Sequence, residues 1–216
     1  IVELLDTGRI VVVDEAYFEF SGATVANLTP NHPNLIVLRT FSKWAGLAGL
    51  RVGYGIFPIG IVNHLMTIKQ PYNINTAAQV AALASLEDID YLRDNVAKIV
   101  AERRRLFGKL KQLDWLKPYP SRANFILCCL RRHSELSTSS HSEPPPSLIA
   151  SEAKQSDSAQ DRLGEESHAK RIWRQLRERG IFVRYFDSPR LRNCLRLSVG
   201  KAEDTDVLIE ALKNVC

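Results

Sequence analysis

The stretch Arg39–Tyr54, RTFSKWAGLAGLRVGY, places one lysine between a run of β-forming residues and a segment punctuated by glycines. Lysines are usually solvated surface charges, so the ordinary interpretation of Lys43 is a loop residue that leads into a helix. A lysine can also be a covalent catalyst, because its amine condenses with an aldehyde to form a Schiff base. The choice between these interpretations depends on which groups the rest of the chain brings to Lys43.

Two runs of aliphatic residues predict strands that carry polar residues to one edge of a sheet. The run Arg9–Val13 (RIVVV) is typical of a strand buried on both faces of a parallel sheet, and Leu35–Leu38 (LIVL) follows after a turn-rich segment. Asp14 comes directly after the first run, at the carboxyl end of its strand, where ligands meet α/β sheets. An anionic Asp14 would hold a proton on a pyridine nitrogen, and Tyr17 would hydrogen-bond a phenolic oxygen on the same ring.

The residues that flank Lys43 offer the groups that a phosphorylated cofactor needs. Thr40 and Ser42 supply hydroxyls, and Arg51 supplies a planar guanidinium suited to phosphate. Glycines in the same segment let the backbone pass close to a ligand, and the G-x-G-x-x-G spacing of a dinucleotide loop is absent. With Asp14, these residues predict a pyridoxal phosphate site, in which a carboxylate keeps the ring protonated so that it withdraws electrons.

The remaining pattern predicts further helices and strands. Ile1, Leu4 and Leu5 are expected on one face of a helix end that stops at Gly8. Helical spacing then recurs at 60–69, from about 76, at 90–113, in the segment before Gly180 and at 202–215. Strands are predicted at 54–57, 124–130, just after Gly180 and at 194–199.

The segment 133–168 differs in composition from the rest of the chain. It has no aromatic residue, ten serines and three consecutive prolines. Such a composition buries too little apolar surface to offset the entropy of ordering the chain. We therefore predict a disordered low-complexity insert, either neutral or able to bind a protein partner, and the lack of an amphipathic anchor pattern favours the neutral interpretation.

Composition and charge limit the classes of function. Of 216 residues, 45% are hydrophobic and 25% are charged, as in ordinary globular proteins. The net charge of +5 would suit nucleic acid, but the one arginine cluster, Arg103–Arg105, is expected on an exposed helix face without a recognition motif. No apolar run reaches the roughly 18 residues of a membrane span. We therefore expect no nucleic-acid partner, no membrane and a cytoplasmic location.

Cysteines and histidines predict neither a disulfide framework nor a metal site. The four cysteines, at 128, 129, 194 and 216, lack paired spacing and are expected to be reduced thiols, which suits the cytosol. The five histidines are scattered without metal-ligand spacing. The chemistry of the chain is therefore expected to rest on Lys43 and its neighbours.

Five motifs follow one another along the chain: VVVDEAYFEF (11–20), RTFSKWAGLAGLRVGYGI (39–56), ANFIL (123–127), GIFVR (180–184) and CLRLSVG (194–200). In this order they resemble the histidinol-phosphate aminotransferases, a family of fold-type I pyridoxal-phosphate enzymes. The resemblance covers nearly the whole chain apart from 133–168. It implies an α/β fold in which 1–90 is the remaining part of the cofactor-binding large domain, with its mixed sheet, and 91–216 is a C-terminal α+β small domain.

The resemblance implies a role for each candidate in the large domain. Lys43 would bond to pyridoxal phosphate and, once released, would move the substrate α-proton. Asp14 would pair with the pyridine nitrogen and Tyr17 with the ring oxygen. The cofactor phosphate would be held by Ser42, Arg51 and Thr40.

Two arginines of the small domain are implied as substrate ligands. Arg196 matches the residue that binds the substrate carboxylate. Arg184 matches the one that receives the phosphate of histidinol phosphate or the side-chain carboxylate of glutamate. Arg190 and Arg192 lie close in sequence, and either one is an alternative to Arg184.

The implied activity is transamination between L-histidinol phosphate or imidazole-acetol phosphate and glutamate or 2-oxoglutarate, in histidine biosynthesis, by a homodimer. An aromatic amino acid aminotransferase and a threonine-phosphate decarboxylase of the same family are alternatives, because both need Lys43 and Asp14. Family members carry further active-site residues before the first strand, so we expect this chain to be the C-terminal portion of a longer enzyme. An incomplete site would leave it inactive alone, and a truncated inactive remnant is therefore a third alternative.

Overall fold

The computed structural model describes residues 1–131 and 166–215, which form the mixed α/β fold predicted from the sequence. The helices are α1 (Val2–Leu5), α2 (Phe18–Ser21), α3 (Ile59–Ile68), α4 (Thr76–Glu87), α5 (Ile89–Leu110), α6 (His168–Glu178) and α7 (Ala202–Lys213). The strands are β1 (Val11–Asp14), β2 (Leu35–Thr40), β3 (Gly53–Ile56), β4 (Leu116–Pro118), β5 (Phe125–Leu130), β6 (Arg184–Tyr185) and β7 (Cys194–Ser198). Most of the predicted insert at 133–168 lies outside the described residues.

The chain packs as two compact units. One consists of Ile1–Arg104, Ser121–Phe125 and Val199–Lys201, and the other of Arg105–Pro120, Ile126–Ser198 and Ala202–Cys216. The first contains a three-stranded sheet of order β1-β2-β3, and the strands of the second belong to a four-stranded sheet of order β4-β5-β7-β6. The domain boundary at 90/91 stays a prediction.

The sheet of the first unit is mixed. Strands β1 and β2 are parallel, with Val11 opposite Leu35 and Asp14 opposite Leu38. Strand β3 returns antiparallel to β2, with Gly53 opposite Thr40. The carboxyl ends of β1 and β2 and the start of β3 therefore share one edge of the sheet.

The expectation that β1 is buried on both faces is wrong. Leu35 and Val37 of β2 are fully buried with Leu5 on one face, where Val11 and Val13 of β1 pack against them. On the opposite face, Val12 is 53% exposed and Leu38 is 39% exposed. Continuous aliphatic runs are typical of parallel strands that are covered on both faces. In this chain, the described residues cover only one face of β1.

The predicted apolar face of α1 is also only partly correct. Leu5 is buried, but Ile1 and Leu4 are both exposed. A helix of four residues completes a single turn, so its side chains point in several directions and only one reaches the sheet. Gly8 follows the helix with a positive φ of 72°, in agreement with its predicted role as a stop.

A second apolar cluster of the first unit surrounds the segment that contains Lys43. Its buried members are Phe20, Phe41, Trp44, Val52, Ala78 and Val96. Ala78 belongs to α4, whose first turn is capped by the Asn75 side chain, which accepts a hydrogen bond from the Ala78 N–H at 2.8 Å. Because Trp44 is buried next to exposed Lys43, packing fixes the backbone from which the lysine side chain projects.

The prediction that Arg103–Arg105 lies wholly on an exposed helix face is wrong for Arg103. Its Nη1 donates to the carbonyl of Ala123 at 2.8 Å and to that of Phe20 at 3.4 Å. Burial, together with the nearby charges of Arg104 and Arg122, lowers the pKa of Arg103. The side chain therefore ties α5 to the residues just after Tyr17, a contact between distant segments that helical spacing alone does not reveal.

In the second unit, helices α6 and α7 bury the apolar positions that their sequence spacing predicts. Ile172 and Leu176 of α6 are buried, as are Leu208 and Leu212 of α7. On the surface, Arg105 and Lys109 bind Asp206 of α7 at 2.9 and 2.6 Å. Hydrogen bonds from these two cations lower the pKa of Asp206 to about 2.

The expectation that all cysteines are reduced is wrong for two of them. Cys129 of β5 and Cys194 of β7 form a disulfide, and their Cα atoms are 4.0 Å apart. Sequence spacing could not predict it, because the pair is separated by 65 residues and meets only when β5 and β7 become neighbours. Cys128 is a buried free thiol, and Cys216 lies outside the described residues.

Replacement of Arg103 by methionine should destabilise the chain, because two backbone carbonyls lose their donor. We expect Arg103→Met to lower the free energy of unfolding by about 1–3 kcal/mol. Arg104→Met is the matched control, since Arg104 is exposed, and it should change stability by less than about 0.5 kcal/mol. Urea denaturation measures both values, and equal losses in the two variants would contradict the buried role of Arg103.

Cys128 should resist alkylation in the folded chain. Burial raises the pKa of its thiol from the ordinary 9.0 to about 12, so at pH 9 little reactive thiolate exists. We expect iodoacetamide to modify Cys128 at least about 100-fold more slowly in the folded than in the denatured chain, as measured by peptide mass spectrometry. The contribution of the neutral Cys128 thiol to the free energy of unfolding is fully present below pH 9 and is lost as the pH rises toward 12. Equal alkylation rates would contradict this burial.

Candidate functional site

The sheet topology brings the predicted cofactor residues of the first unit to one edge. Asp14 ends β1, and Thr40 ends the parallel neighbour β2. Lys43 follows three residues after Thr40, and Arg51 precedes β3, whose first residue pairs with Thr40. Residues that are far apart in sequence therefore emerge on the same side of the sheet, as expected for ligand sites of α/β folds.

Lys43 and Tyr17 are close to each other at this edge. The Lys43 Nζ lies 5.8 Å from the centre of the Tyr17 ring. The Tyr17 ring in turn packs edge-on against Phe125, with ring centres 5.6 Å apart and an interplanar angle of 79°. Tyr17 is therefore held by an aromatic neighbour at a position where its ring faces the amine.

Asp14 and Tyr17 line the same cavity of about 290 Å³. The Oδ1 of Asp14 accepts a hydrogen bond from the Ala16 N–H at 2.9 Å, which fixes the turn between the two residues. The Asp14 side chain is exposed, so its carboxylate is accessible to a ligand. This turn sets the direction in which both polar groups project.

The three predicted phosphate ligands differ in their local contacts. Thr40 Oγ1 accepts the Ser42 N–H at 3.0 Å and lies 3.4 Å from the Val52 carbonyl oxygen, so this hydroxyl shapes the loop. Arg51 is exposed, donates from Nη1 to the Ala48 carbonyl at 3.1 Å, and has a positive φ of 56°. A non-glycine residue in this region costs about 1–2 kcal/mol, and such strain is concentrated at functional sites.

Sequence reasoning missed the ion pair between Glu15 and Arg39. Glu15 is buried directly after Asp14, and its Oε2 accepts from Arg39 Nε at 3.0 Å and Nη2 at 2.9 Å. Burial by itself lowers the pKa of Arg39, but hydrogen bonds to Tyr54 and Glu15 raise it overall. The sequence offered one signal for this pair: Glu15 directly follows the predicted site residue Asp14, and Arg39 follows the neighbouring predicted strand.

A larger cavity in the same unit has no predicted site residue in its lining. It measures about 690 Å³ and is bordered by Glu19, Arg39, Trp44, Tyr54 and residues of α4 and α5. Neither Lys43 nor Asp14 contributes to it. The candidate site therefore rests on the chemistry of the sheet edge and not on cavity size.

The second unit brings its two predicted arginines together. Arg184 of β6 lies directly opposite Arg196 of β7 in an antiparallel pair. The Arg184 guanidinium is 5.8 Å from the Phe186 ring centre, and Arg196 is half-buried. Guanidinium groups bind carboxylates and phosphates through a planar pair of donors, so both side chains are candidate anion ligands. Arg190 and Arg192 are exposed and lie outside this ladder.

The groups at the sheet edge fit pyridoxal phosphate. They comprise an amine, an exposed carboxylate next to a phenol, a hydroxyl and a guanidinium, which complement its aldehyde, pyridine nitrogen, ring oxygen and phosphate. Lys43 would hold the aldehyde, Asp14 and Tyr17 the ring, and Ser42 and Arg51 the phosphate. Within residues 1–131 and 166–215, no cluster of three metal-ligating side chains occurs.

Comparison with known proteins gives the chain relatives along nearly its whole length. A family model described as "Aminotransferase class I and II" matches residues 1–212. A protein of Dehalococcoides mccartyi named histidinol-phosphate aminotransferase is 45% identical over 210 residues, which cover 97% of this chain and 49% of that protein. The Arabidopsis thaliana protein named "Histidinol-phosphate aminotransferase 1, chloroplastic" is 43% identical over 214 residues, covering 99% and 43% respectively. This chain spans about half the length of the curated relatives it matches.

A solved structure is similar in fold. It is the crystal structure of histidinol-phosphate aminotransferase from Sinorhizobium meliloti in complex with pyridoxal-5'-phosphate, with a TM-score of 0.71 and 27% identity. The match covers 95% of this chain and 48% of that one. The similarity therefore extends over both compact units.

Proposed function

Because this chain belongs to the class I and II aminotransferases, we propose that it carries the cofactor lysine and substrate arginines of a histidinol-phosphate transaminase. The predicted fold-type I class is confirmed by its structural neighbours. The proposed reaction moves an amino group between L-histidinol phosphate or imidazole-acetol phosphate and glutamate or 2-oxoglutarate, in histidine biosynthesis. The observation that carries the proposal is that the Lys43 Nζ lies 5.8 Å from the Tyr17 ring, which borders one cavity with Asp14 at the carboxyl end of β1.

The residues at the sheet edge divide the work of binding and proton transfer. Bound pyridoxal phosphate supplies an electron-withdrawing ring that acidifies the substrate α-carbon. The Lys43 amine anchors the cofactor and afterwards takes the α-proton, which requires a mobile, exposed side chain on a fixed backbone. Asp14 holds the proton on the pyridine nitrogen, and Tyr17 donates to the ring oxygen.

The proposed substrate ligands are the paired arginines of the second unit. Arg196 binds the α-carboxylate of an amino-acid donor through its planar fork, and Arg184 binds the distal anion. Two arginines on neighbouring strands suit substrates with two carboxylates or a phosphate, such as glutamate and histidinol phosphate. The ladder position of Arg184 supports it over Arg190 and Arg192 as the second ligand.

The identity of the first relatives supports histidinol phosphate as the substrate. Matches of 41–45% identity cover nearly all of this chain and carry that enzyme name in bacteria and plants. The aromatic aminotransferases and threonine-phosphate decarboxylases considered from the motifs need the same Lys43 and Asp14, so these residues do not separate them. Substrate choice depends on which anionic groups Arg184 and Arg196 bind.

The proposed assembly is a homodimer. No residue of α3 is buried, and Ile59, Met66 and Ile68 along it are exposed. A helix that presents apolar side chains to solvent is typical of an interaction surface. We expect light scattering to give twice the mass of one chain, and Met66→Asp to shift the protein toward monomer. A monomeric wild-type chain at all concentrations would contradict this assembly.

The proposed compartment is the cytoplasm. The ordinary globular composition of the chain supports it. As a separate finding, the described residues contain no helix with the length and apolar character of a membrane span. The plant relatives are named chloroplastic, so the compartment differs among relatives. Recovery of the protein from an organelle or envelope fraction would contradict the proposal.

Replacement of Lys43 should abolish covalent cofactor binding. When the chain is mixed with pyridoxal phosphate, we expect a visible absorption band that borohydride reduction fixes to Lys43, as located by peptide mass spectrometry. Lys43→Ala should lose both the band and the label. Lys69→Ala is the matched control, since Lys69 is an exposed lysine of the same unit, and it should retain both. An unchanged label in Lys43→Ala, or no band in the wild-type chain, would contradict the proposed site.

A further inference from the structure

Glu15 is buried at the end of β1 and has a complete set of hydrogen-bond donors. Its Oε1 accepts the Val25 N–H at 2.7 Å. Its Oε2 accepts the Thr24 hydroxyl at 2.8 Å and two Arg39 nitrogens at 3.0 and 2.9 Å. Only 8% of the residue is exposed. Four donors therefore converge on one carboxylate from β2 and from the segment 24–25.

Arg39 is equally constrained. Its guanidinium lies 3.6 Å from the centre of the Phe18 ring, and its Nη2 also donates to Thr24 Oγ1 at 2.8 Å. Removing two charges from water is costly, and apolar residues of similar size often stabilise a fold as well as a buried ion pair does. Stability alone therefore does not account for this pair, whereas a requirement for one fixed geometry does.

The geometry that Glu15 fixes is the turn that presents Asp14 and Tyr17. The Glu15 N–H donates to the Leu38 carbonyl at 2.8 Å, and the Phe18 N–H donates to the Glu15 carbonyl at 2.9 Å. Glu15 directly follows β1, and it borders the same cavity as Asp14 and Tyr17. The Glu15 carboxylate is buried and bound by its four donors, so it anchors the turn while the Asp14 carboxylate stays accessible at the sheet edge.

Charge leads to the same conclusion. Arg39 neutralises Glu15 at 2.9 Å, so the negative charge next to Asp14 is compensated within the unit. Without that pairing, a second carboxylate beside Asp14 would compete for the proton of a pyridinium ring. The ion pair leaves Asp14 as the carboxylate that acts on the ligand.

We propose that Glu15 is a positioning residue of the cofactor site: bound to Thr24, Val25 and Arg39, it holds the Asp14–Tyr17 turn in the orientation that receives the pyridine ring. This inference rests on the proposed function, because it assigns Asp14 to the ring of pyridoxal phosphate. Both Glu15 oxygens already accept hydrogen bonds from the chain, so Glu15 acts through the position of Asp14.

A double-mutant cycle on the intact chain tests the dependence on Asp14. Gln at position 15 presents an amide N–H₂ where the carboxylate accepted donors, so Glu15→Gln should raise the Kd for pyridoxal phosphate at least 10-fold, as measured by absorbance titration. In the Asp14→Asn background the same change should raise the Kd less than 2-fold, because Glu15 works through the missing carboxylate. Glu19→Gln is the matched control, a nearby half-buried carboxylate, and it should change the Kd less than 2-fold. Equal effects of Glu15→Gln in both backgrounds would overturn the proposal.

A second measurement without cofactor separates this inference from the proposed function. The Ala16 N–H reports on the turn because it donates to Asp14 Oδ1. Amide hydrogen exchange of the ligand-free chain should be at least 10-fold faster at Ala16 in Glu15→Gln, with the Ala78 amide of α4 unchanged as the internal reference. If the wild-type chain fails to bind pyridoxal phosphate, the proposed function fails, and unchanged exchange at Ala16 overturns the positioning role independently.

Discussion

The parallel pairing of β1 with β2 is the constraint on which the candidate site depends. Its register sets Asp14 opposite Leu38, so the polar residue that follows each strand emerges at the same edge. A shift of one residue would turn Val11 and Val13 away from Leu35 and Val37, and would also move Asp14 to the other face. The apolar core and the position of the carboxylate are therefore specified by the same set of contacts. Strand β3 extends this arrangement, since its pairing with Thr40 returns Arg51 to the edge.

The loop between β2 and β3 shows how buried side chains can fix the backbone of an exposed lysine. Trp44 and Phe41 belong to the apolar cluster, with ring centres 5.5 Å apart, whereas Lys43 between them is exposed. The Leu47 N–H donates to the Phe41 carbonyl, and Gly46 adopts a positive φ of 72°, which a side chain would strain. The loop is closed by internal contacts, which fix the backbone from which the Lys43 amine extends.

Much of this arrangement was predictable from residue patterns, because the patterns reflect local physics. Strand β2 was predicted from its aliphatic residues, and α4 from about Thr76, where the structure begins it. Asp14 was placed at a strand end from the RIVVV run alone, and the structure places it there. The roles of Thr40, Arg51 and the other site residues stay predictions, since contacts show where they lie and not what they bind.

What sequence patterns did not predict depends on distant segments. The burial of β1 on one face depends on which elements cover the sheet, and the sequence RIVVV does not determine it. The Arg103 contacts join α5 to Phe20, 83 positions earlier in the chain, and to Ala123, 20 positions later. The disulfide likewise requires β5 and β7 to be neighbours, and closing a loop across 65 residues stabilises the folded chain by about 4 kcal/mol in the chain-entropy description. Each of these features depends on how distant segments are arranged in the folded chain.

The electrostatics of the two units follow one rule, in which charges that serve structure are paired and charges that suit a ligand are exposed. Glu15 is buried against Arg39, and Asp206 is bound by Arg105 and Lys109, so these carboxylates are satisfied within the chain. Asp14, by contrast, accepts one backbone N–H and stays accessible, and Arg184 faces another arginine across the ladder. Arg184 is exposed and Arg196 is half-buried, so this ladder presents one guanidinium to solvent and holds the other partly within the fold. The side chains that stay accessible, Asp14 and Arg184, are therefore among those for which we propose a ligand role.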